Sequence, residues 1–136
     1  MTRINVVPVE ELTDQHLFAE YREITRLFPL SLKANERGFK QDVHEYVLGT
    51  GHVKFFYDKL AFIEKRYFKL KEELLLRGYN ITIKDDIVHY RDLIPDMYND
   101  YVPTDDAIKL SSARIREKIV QRPNFYTKCG NKVKDL

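Results

Sequence analysis

Apolar residues recur at steps of three and four in three stretches of this chain, and each stretch predicts a helix. The clearest runs through Val53, Phe56, Leu60, Ile63, Tyr67, Leu70 and Leu74. Gly78 follows Arg77 as its stop, because glycine takes the left-handed conformation that ends helices without a steric cost. A helix before it begins near Thr13, a good N-cap residue, and runs to about Phe28, where Pro29 interrupts it. On that helix Leu17, Tyr21, Ile24 and Phe28 form one narrow stripe, while His16, Ala19, Glu20, Arg22, Glu23 and Arg26 share the opposite arc. A third helix should start after the N-cap Thr104, with Asp105 and Asp106 facing the positive end of the dipole, and stop before Pro123. Its buried side would carry Ile108, Ile115 and Ile119.

Residues 29 to 52 and 79 to 103 lack long periodicity and read as loops with short helical turns. Val6, Val7 and Val9 suggest a strand, but Pro8 cannot donate to a ladder and no partner run is apparent, so an extended arm is expected. The fold class is all-α: a compact single domain over residues 1 to 136, with three main helices, irregular loops and an extended N-terminal arm.

Composition narrows the setting. A chain of 136 residues, 43% of them hydrophobic, is long enough to bury an adequate core without staples. No run approaches the roughly 18 consecutive apolar residues that a membrane span requires. No basic segment followed by an apolar stretch opens the chain, and the single Cys129 cannot form an internal disulfide, so a soluble protein of the reducing cytoplasm is expected. The net charge of +2, from 23 Lys plus Arg against 21 Asp plus Glu, does not mark a nucleic-acid binder, which leaves the distribution of charge to decide.

His16, His44, His52 and His89 lack the close spacings of a zinc site, and neither a phosphate-cradling glycine loop nor a Gly-x-Ser-x-Gly elbow is present. No metal and no cofactor are expected. The polar arc of the first helix sets the Glu23 carboxylate among His16, Arg22 and Arg26, with Arg3 close in sequence. Two readings stand: a solvated, salt-bridged face, or a cationic cleft holding one carboxylate for acid/base chemistry. Arg114, Lys118 and Arg122 repeat every four residues along the third helix, as an exposed face or as a stripe that tracks phosphates. Beyond them Phe125 and Tyr126, followed by Lys128, Lys132 and Lys134, suit a tail that lies on a base or simply docks on the core.

These residues stand in long ordered blocks. They are Met1-Thr2-Arg3-Ile4-Asn5, Asp14-Gln15-His16-Leu17, Ala19-Glu20-Tyr21-Arg22-Glu23, Gly51-His52-Val53, Phe55-Phe56-Tyr57-Asp58-Lys59-Leu60, Arg77-Gly78 before Asn80, Glu117-Lys118-Ile119 and Gln121-Arg122-Pro123. Over nearly its full length the chain resembles the phage endonuclease V type of pyrimidine-dimer DNA glycosylase/AP lyase, found in bacteriophages and some algal viruses. The resemblance implies a compact helical monomer in the cytoplasm of a virus's host cell, acting on double-stranded DNA with pyrimidine dimers or abasic sites. It implies that Thr2, once Met1 is removed, attacks the anomeric carbon of a damaged nucleotide, with Glu23 as the essential carboxylate. It further implies that Arg3, Gln15, His16, Arg22, Arg26, Arg114 and Lys118 hold kinked DNA from which the base opposite the lesion is flipped. The family's aromatic C-terminal motif, Trp-Tyr-Lys-Tyr-Tyr-Gly, stands here as Phe125-Tyr126-Thr127-Lys128-Cys129-Gly130, which bears on lesion preference. The loop from Ser31 to Tyr46 looks shorter and less basic than in the best-known member.

The chemistry suits these residue types. An α-amino group has a pKa near 8 against about 10.4 for lysine, so near neutral pH its uncharged fraction is on the order of a hundredfold larger. Two other readings remain open at this point: a non-catalytic DNA-binding module, supported by the basic faces alone, and an N-terminal threonine hydrolase using the Thr2 hydroxyl.

Overall fold

The computed structural model describes residues 2–81 and 86–132; the expected tail cation Lys134 lies outside them. Thr13 and Thr104 do cap helices. The Thr13 hydroxyl accepts from the His16 amide at 3.1 Å to open α1, Asp14–Ile24. The Thr104 hydroxyl accepts from the Ala107 amide at 3.1 Å to open α6, Asp105–Gln121. The chain is all-α, but its long helices are divided differently from the expectation.

α1 stops at Ile24, and Pro29 does not interrupt a helix. It sits in the first turn of α2, Leu27–Glu36, where the amides have no intrahelical acceptor and proline therefore sacrifices nothing. Part of the region taken for loop is thus a helix, and Phe28, assigned to the stripe of α1, is a fully buried residue of α2. The apolar spine also splits, into α3, His52–Phe56, and α4, Leu60–Leu76. Side chains explain the break. Gln41 donates to the carbonyls of Lys54 and Phe55 at 2.9 and 3.3 Å, and the Lys59 ammonium donates to Phe55 at 2.9 Å. Carbonyls that a continuous helix would have paired with later amides are satisfied at the break instead. Among the described residues four long helices replace the expected three. Short turns, including α5, Tyr90–Leu93, link α4 to α6.

A single cluster of buried residues joins Ile4 and Leu12 to Leu17 and Ile24 of α1, Phe28 of α2, Phe56 of α3, the α4 spine, and Ile115 and Ile119 of α6. Ile108 is only half-buried; Ala107 and Ser111 complete the inner face of α6 with Ile115 and Ile119 at intervals of four. That setting places Arg114 and Lys118, one residue before each isoleucine, at the edge of the core.

Among the described residues the buried N-terminal arm has no sheet partner, and side chains from five places satisfy it. The Ile4 amide donates to His52 Nε2 at 2.8 Å, and Tyr46 Oη donates to the Ile4 carbonyl at 2.8 Å. Asn5 Nδ2 donates to Glu20 at 3.1 Å, the Val6 amide donates to Ser111 Oγ at 3.1 Å, and Arg66 Nη1 donates to the Val7 carbonyl at 2.6 Å. Every buried peptide group needs a partner, and here the helices supply side chains where a neighbouring strand would have supplied backbone.

After α6 comes a two-stranded hairpin, β1 (Thr127–Lys128) and β2 (Asn131–Lys132), turned by Cys129 and Gly130 at φ of 52° and 85°. Positive φ at both turn residues is what a two-residue hairpin loop requires.

Candidate active site

In the arm, side chains alternate: Ile4 and Val6 enter the core, while Arg3 and Asn5 face a cavity of about 200 Å³. His16, Ala19, Glu20 and Glu23, spaced as one face of α1, form its floor, and Arg114 of α6 closes it. The fold therefore brings Arg3, His16, Glu23 and Arg114, separated widely in sequence, around one small volume. Thr2, 7% exposed, directly precedes Arg3.

Two carboxylates line this cavity and they differ. Glu20 was expected on the polar arc, but it is buried and held by Arg66 Nε at 2.6 Å, Arg66 Nη2 at 3.1 Å and Asn5. Its negative charge is consumed by the fold. Glu23 is half-buried, and among the described residues its carboxylate enters no hydrogen bond or ion pair. It is the acidic group left for chemistry.

The cations lean the same way. Burial, followed by the charge of Arg3, pulls the Arg114 guanidinium below its ordinary value, as befits a site short of negative charge. Burial, followed by the charges of Arg114 and Lys118, lowers His16 to about 4, so near neutral pH its imidazole is uncharged. It offers the site a hydrogen-bonding ring and no cation. Its Nδ1 lies 2.6 Å from the Thr13 hydroxyl, and its ring stacks on Tyr126 at 4.7 Å with an interplanar angle of 9°.

The remaining expected contacts fall around this centre. Gln15 is occupied by the tail: its Nε2 donates to Thr127 Oγ1 at 3.2 Å and its Oε1 accepts from the Thr127 amide at 2.9 Å. Tyr126 is buried against His16, whereas Phe125 is exposed with the Arg122 guanidinium 3.6 Å above its ring. Lys118 is half-buried on the α6 edge beside His16. Arg22 and Arg26 are exposed and do not line the small cavity. Arg22 borders a larger one of about 530 Å³ on the other flank of α1, walled by Phe18, Tyr21, Tyr67 and Tyr90.

Sequence reasoning missed Arg66, Asn5, Asp14 and Arg77. Asp14 is buried and accepts from Arg77 Nη1 at 2.9 Å, Thr127 Oγ1 at 2.6 Å, and the Cys129 and Gly130 amides at 2.9 and 3.0 Å. Burial raises its carboxyl pKa, but these donors outweigh burial and hold it well below the usual carboxylate range. A signal for part of this was present: Arg66 falls between Ile63 and Leu70 on the spine, and Glu20 between Leu17 and Ile24. A charge on a buried stripe requires a charged partner.

Among the described residues no group of three or more His, Cys, Asp or Glu is gathered to hold a metal ion, and no helix is long and apolar enough to cross a membrane. The fold and the cavity define a helical protein with a cationic recess built around one unpaired carboxylate, an arrangement suited to a polyanion. The family model for pyrimidine dimer DNA glycosylase matches residues 1–87, and the chain belongs to that family. It is a DNA repair glycosylase, with DNA as its substrate class. The matched stretch contains Thr2, Arg3 and the whole of α1 to α4, while Arg114, Lys118 and the tail lie beyond it.

Proposed function

We propose that the protein recognises cyclobutane pyrimidine dimers in duplex DNA, cleaves an N-glycosidic bond of the dimer and then nicks the strand, using the α-amino group of Thr2 once Met1 is removed. The amine lone pair attacks C1′ of the damaged nucleotide, the glycosidic C–N bond breaks, and its electron pair leaves with the base. Loss of a proton from nitrogen and opening of the sugar ring give an imine between Thr2 and the former C1′. The protonated imine draws electrons from C2′, so the C2′ proton is removed, the C3′–O bond breaks, and the 3′ phosphate departs. Water then hydrolyses the imine and restores the amine.

The observation that carries this reading is the shared cavity of Arg3 and Glu23, with the residue bearing the amine next to Arg3. Glu23, which has no hydrogen bond or ion pair among the described residues, stabilises the cationic imine and serves as the base at C2′. Arg3, Arg22, Arg26, Arg114 and Lys118 hold phosphates on both flanks of α1, and His16 adds a neutral hydrogen-bonding edge. Gln15 and Tyr126 act by keeping the tail in place, which leaves Phe125 exposed to meet a base. The larger aromatic-walled cavity beside Arg22 is of a size to take a base flipped from opposite the lesion.

Borohydride reduction in the presence of dimer-containing duplex tests this. Correctly processed protein should be trapped on DNA through its N-terminal peptide, identified by mass spectrometry. Glu23→Gln should lose strand cleavage while retaining affinity for damaged DNA. Absence of an adduct from protein shown by intact mass to begin at Thr2 would overturn the mechanism.

A further inference from the structure

The nucleophile assigned above is a backbone amine, so the peptides that follow it help to set its position. Ile4 lies two residues downstream, about 7 Å along extended chain. Both polar groups of its backbone are gripped by side chains from outside the arm. His52, at the start of α3, takes the Ile4 amide on Nε2 at 2.8 Å, and Tyr46 donates its hydroxyl to the Ile4 carbonyl at 2.8 Å.

The grip is built with some care for direction. His52 Nε2 accepts, so the ring proton resides on Nδ1, which donates to the Val47 carbonyl at 2.8 Å. The two clamping rings also pack edge to face at 5.4 Å, and Phe56 packs edge to face against each of them. Behind His52 stands Gly51 at φ 91°, where a Cβ would come within 3.3 Å of Val43 Cγ2. The turn that delivers His52 to the arm thus favours glycine, for its left-handed backbone and for the close approach of Val43. His52 is 2% exposed and Tyr46 6%, so neither ring touches the face that DNA would occupy.

We infer that His52 and Tyr46 are positioning residues for the reaction: together they fix the Ile4 peptide and thereby hold the Thr2 amine over the cavity that contains Glu23. This rests on the Thr2 mechanism proposed above. The clamp adds nothing to DNA affinity. Its contribution is to the fraction of bound complexes in which nitrogen is in reach of C1′, a quantity on which rates depend steeply.

Tyr46→Phe tests it, because the ring and its packing remain while the donor to Ile4 is lost. His52→Gln is the second variant, retaining an acceptor on a side chain that lacks the ring's fixed geometry. Ile63→Val, a core change on α4 that leaves both clamp hydrogen bonds intact, controls for lost stability. For each, the single-turnover rate of borohydride trapping on a saturating abasic duplex is compared with the dissociation constant for the same duplex carrying a reduced, unreactive abasic analogue.

Tyr46→Phe should trap about tenfold more slowly with a dissociation constant within about twofold of the parent, and Ile63→Val should trap at the parental rate. His52→Gln should show the same split, and the double variant should be little slower than the worse single one, since both groups act on one peptide. Trapping by Tyr46→Phe at the parental rate would overturn the inference. So would a rate loss matched by an equal loss of affinity, or one that Ile63→Val reproduces. If the parent itself fails to trap, the Thr2 mechanism falls and takes the clamp with it, an outcome distinct from a parent that traps and a Tyr46→Phe that equals it.

Discussion

Glu20 and Arg66 meet between α1 and α4 in a two-pronged ion pair, 2.6 and 3.1 Å, that is almost wholly excluded from water. The pair does two things at once. It removes one of the two carboxylates of the cavity from chemistry, and through Asn5 and the Val7 carbonyl it ties the N-terminal arm to the helices. A structural charge pair therefore sits immediately behind the residue assigned to catalysis.

Removing one partner should be costly. Glu20→Ala leaves the Arg66 guanidinium buried without its counter-ion, and a loss of about 3 to 5 kcal/mol in urea unfolding is expected. A loss below about 1 kcal/mol would show that Arg66 escapes to solvent and that the pair is not part of the core.

Stability should fall as the solution is acidified, well before the carboxylates titrate. Burial, opposed by the Val47 hydrogen bond and reinforced by the charges of Arg3 and Arg114, holds His52 at about 4, and His16 is also held at about 4. The unfolded chain takes up these protons near pH 6.5 and the folded chain only near 4. Stability is thus complete above about pH 6.5 and is lost progressively toward pH 4, by about 3 kcal/mol for the buried His52. Unfolding midpoints at pH 7, 5.5 and 4 check the sign; a midpoint unchanged across this window would contradict the neutral assignment.

Asp14 ties the tail to α1 beside the bonds of Gln15 to Thr127. Asp14→Ala removes charge-assisted bonds to Thr127, Cys129 and Gly130, each worth about 1.5 to 3 kcal/mol, and the ion pair with Arg77, which keeps Glu73 as its other carboxylate. Amide exchange at Cys129 and Gly130 should accelerate by at least about tenfold, with the α4 core amides affected far less. Equal acceleration in both places would mean that Asp14 supports the whole fold and not the hairpin in particular.

Arg114 should be visible in two independent measurements. Arg114→Gln removes a cation from the cavity, so the slope of log affinity for DNA against log salt should shrink by about one. The same substitution removes a charge that lowers His16, and His16 should then titrate above its parental value of about 4 in a proton NMR titration. An unchanged salt slope would take Arg114 out of the phosphate contacts.

What the sequence determined by itself is local. The caps Thr13 and Thr104, the buried period of α4 and the all-α class follow from hydrogen bonding and side-chain spacing within a few turns of helix, and so does the face of α1 that carries His16 and Glu23. The helix boundaries near Pro29 and Tyr57 were less legible. Proline is harmless in a first turn, and the spine breaks because Gln41, distant in sequence, captures its carbonyls. Tertiary structure decided that Arg66 reaches Glu20 and leaves Glu23 unneutralised, that Arg3 and Arg114 converge on Glu23, and that His52 and Tyr46 hold Ile4. These are contacts between groups tens of residues apart, where only the folded packing of helices sets distance, burial and therefore charge.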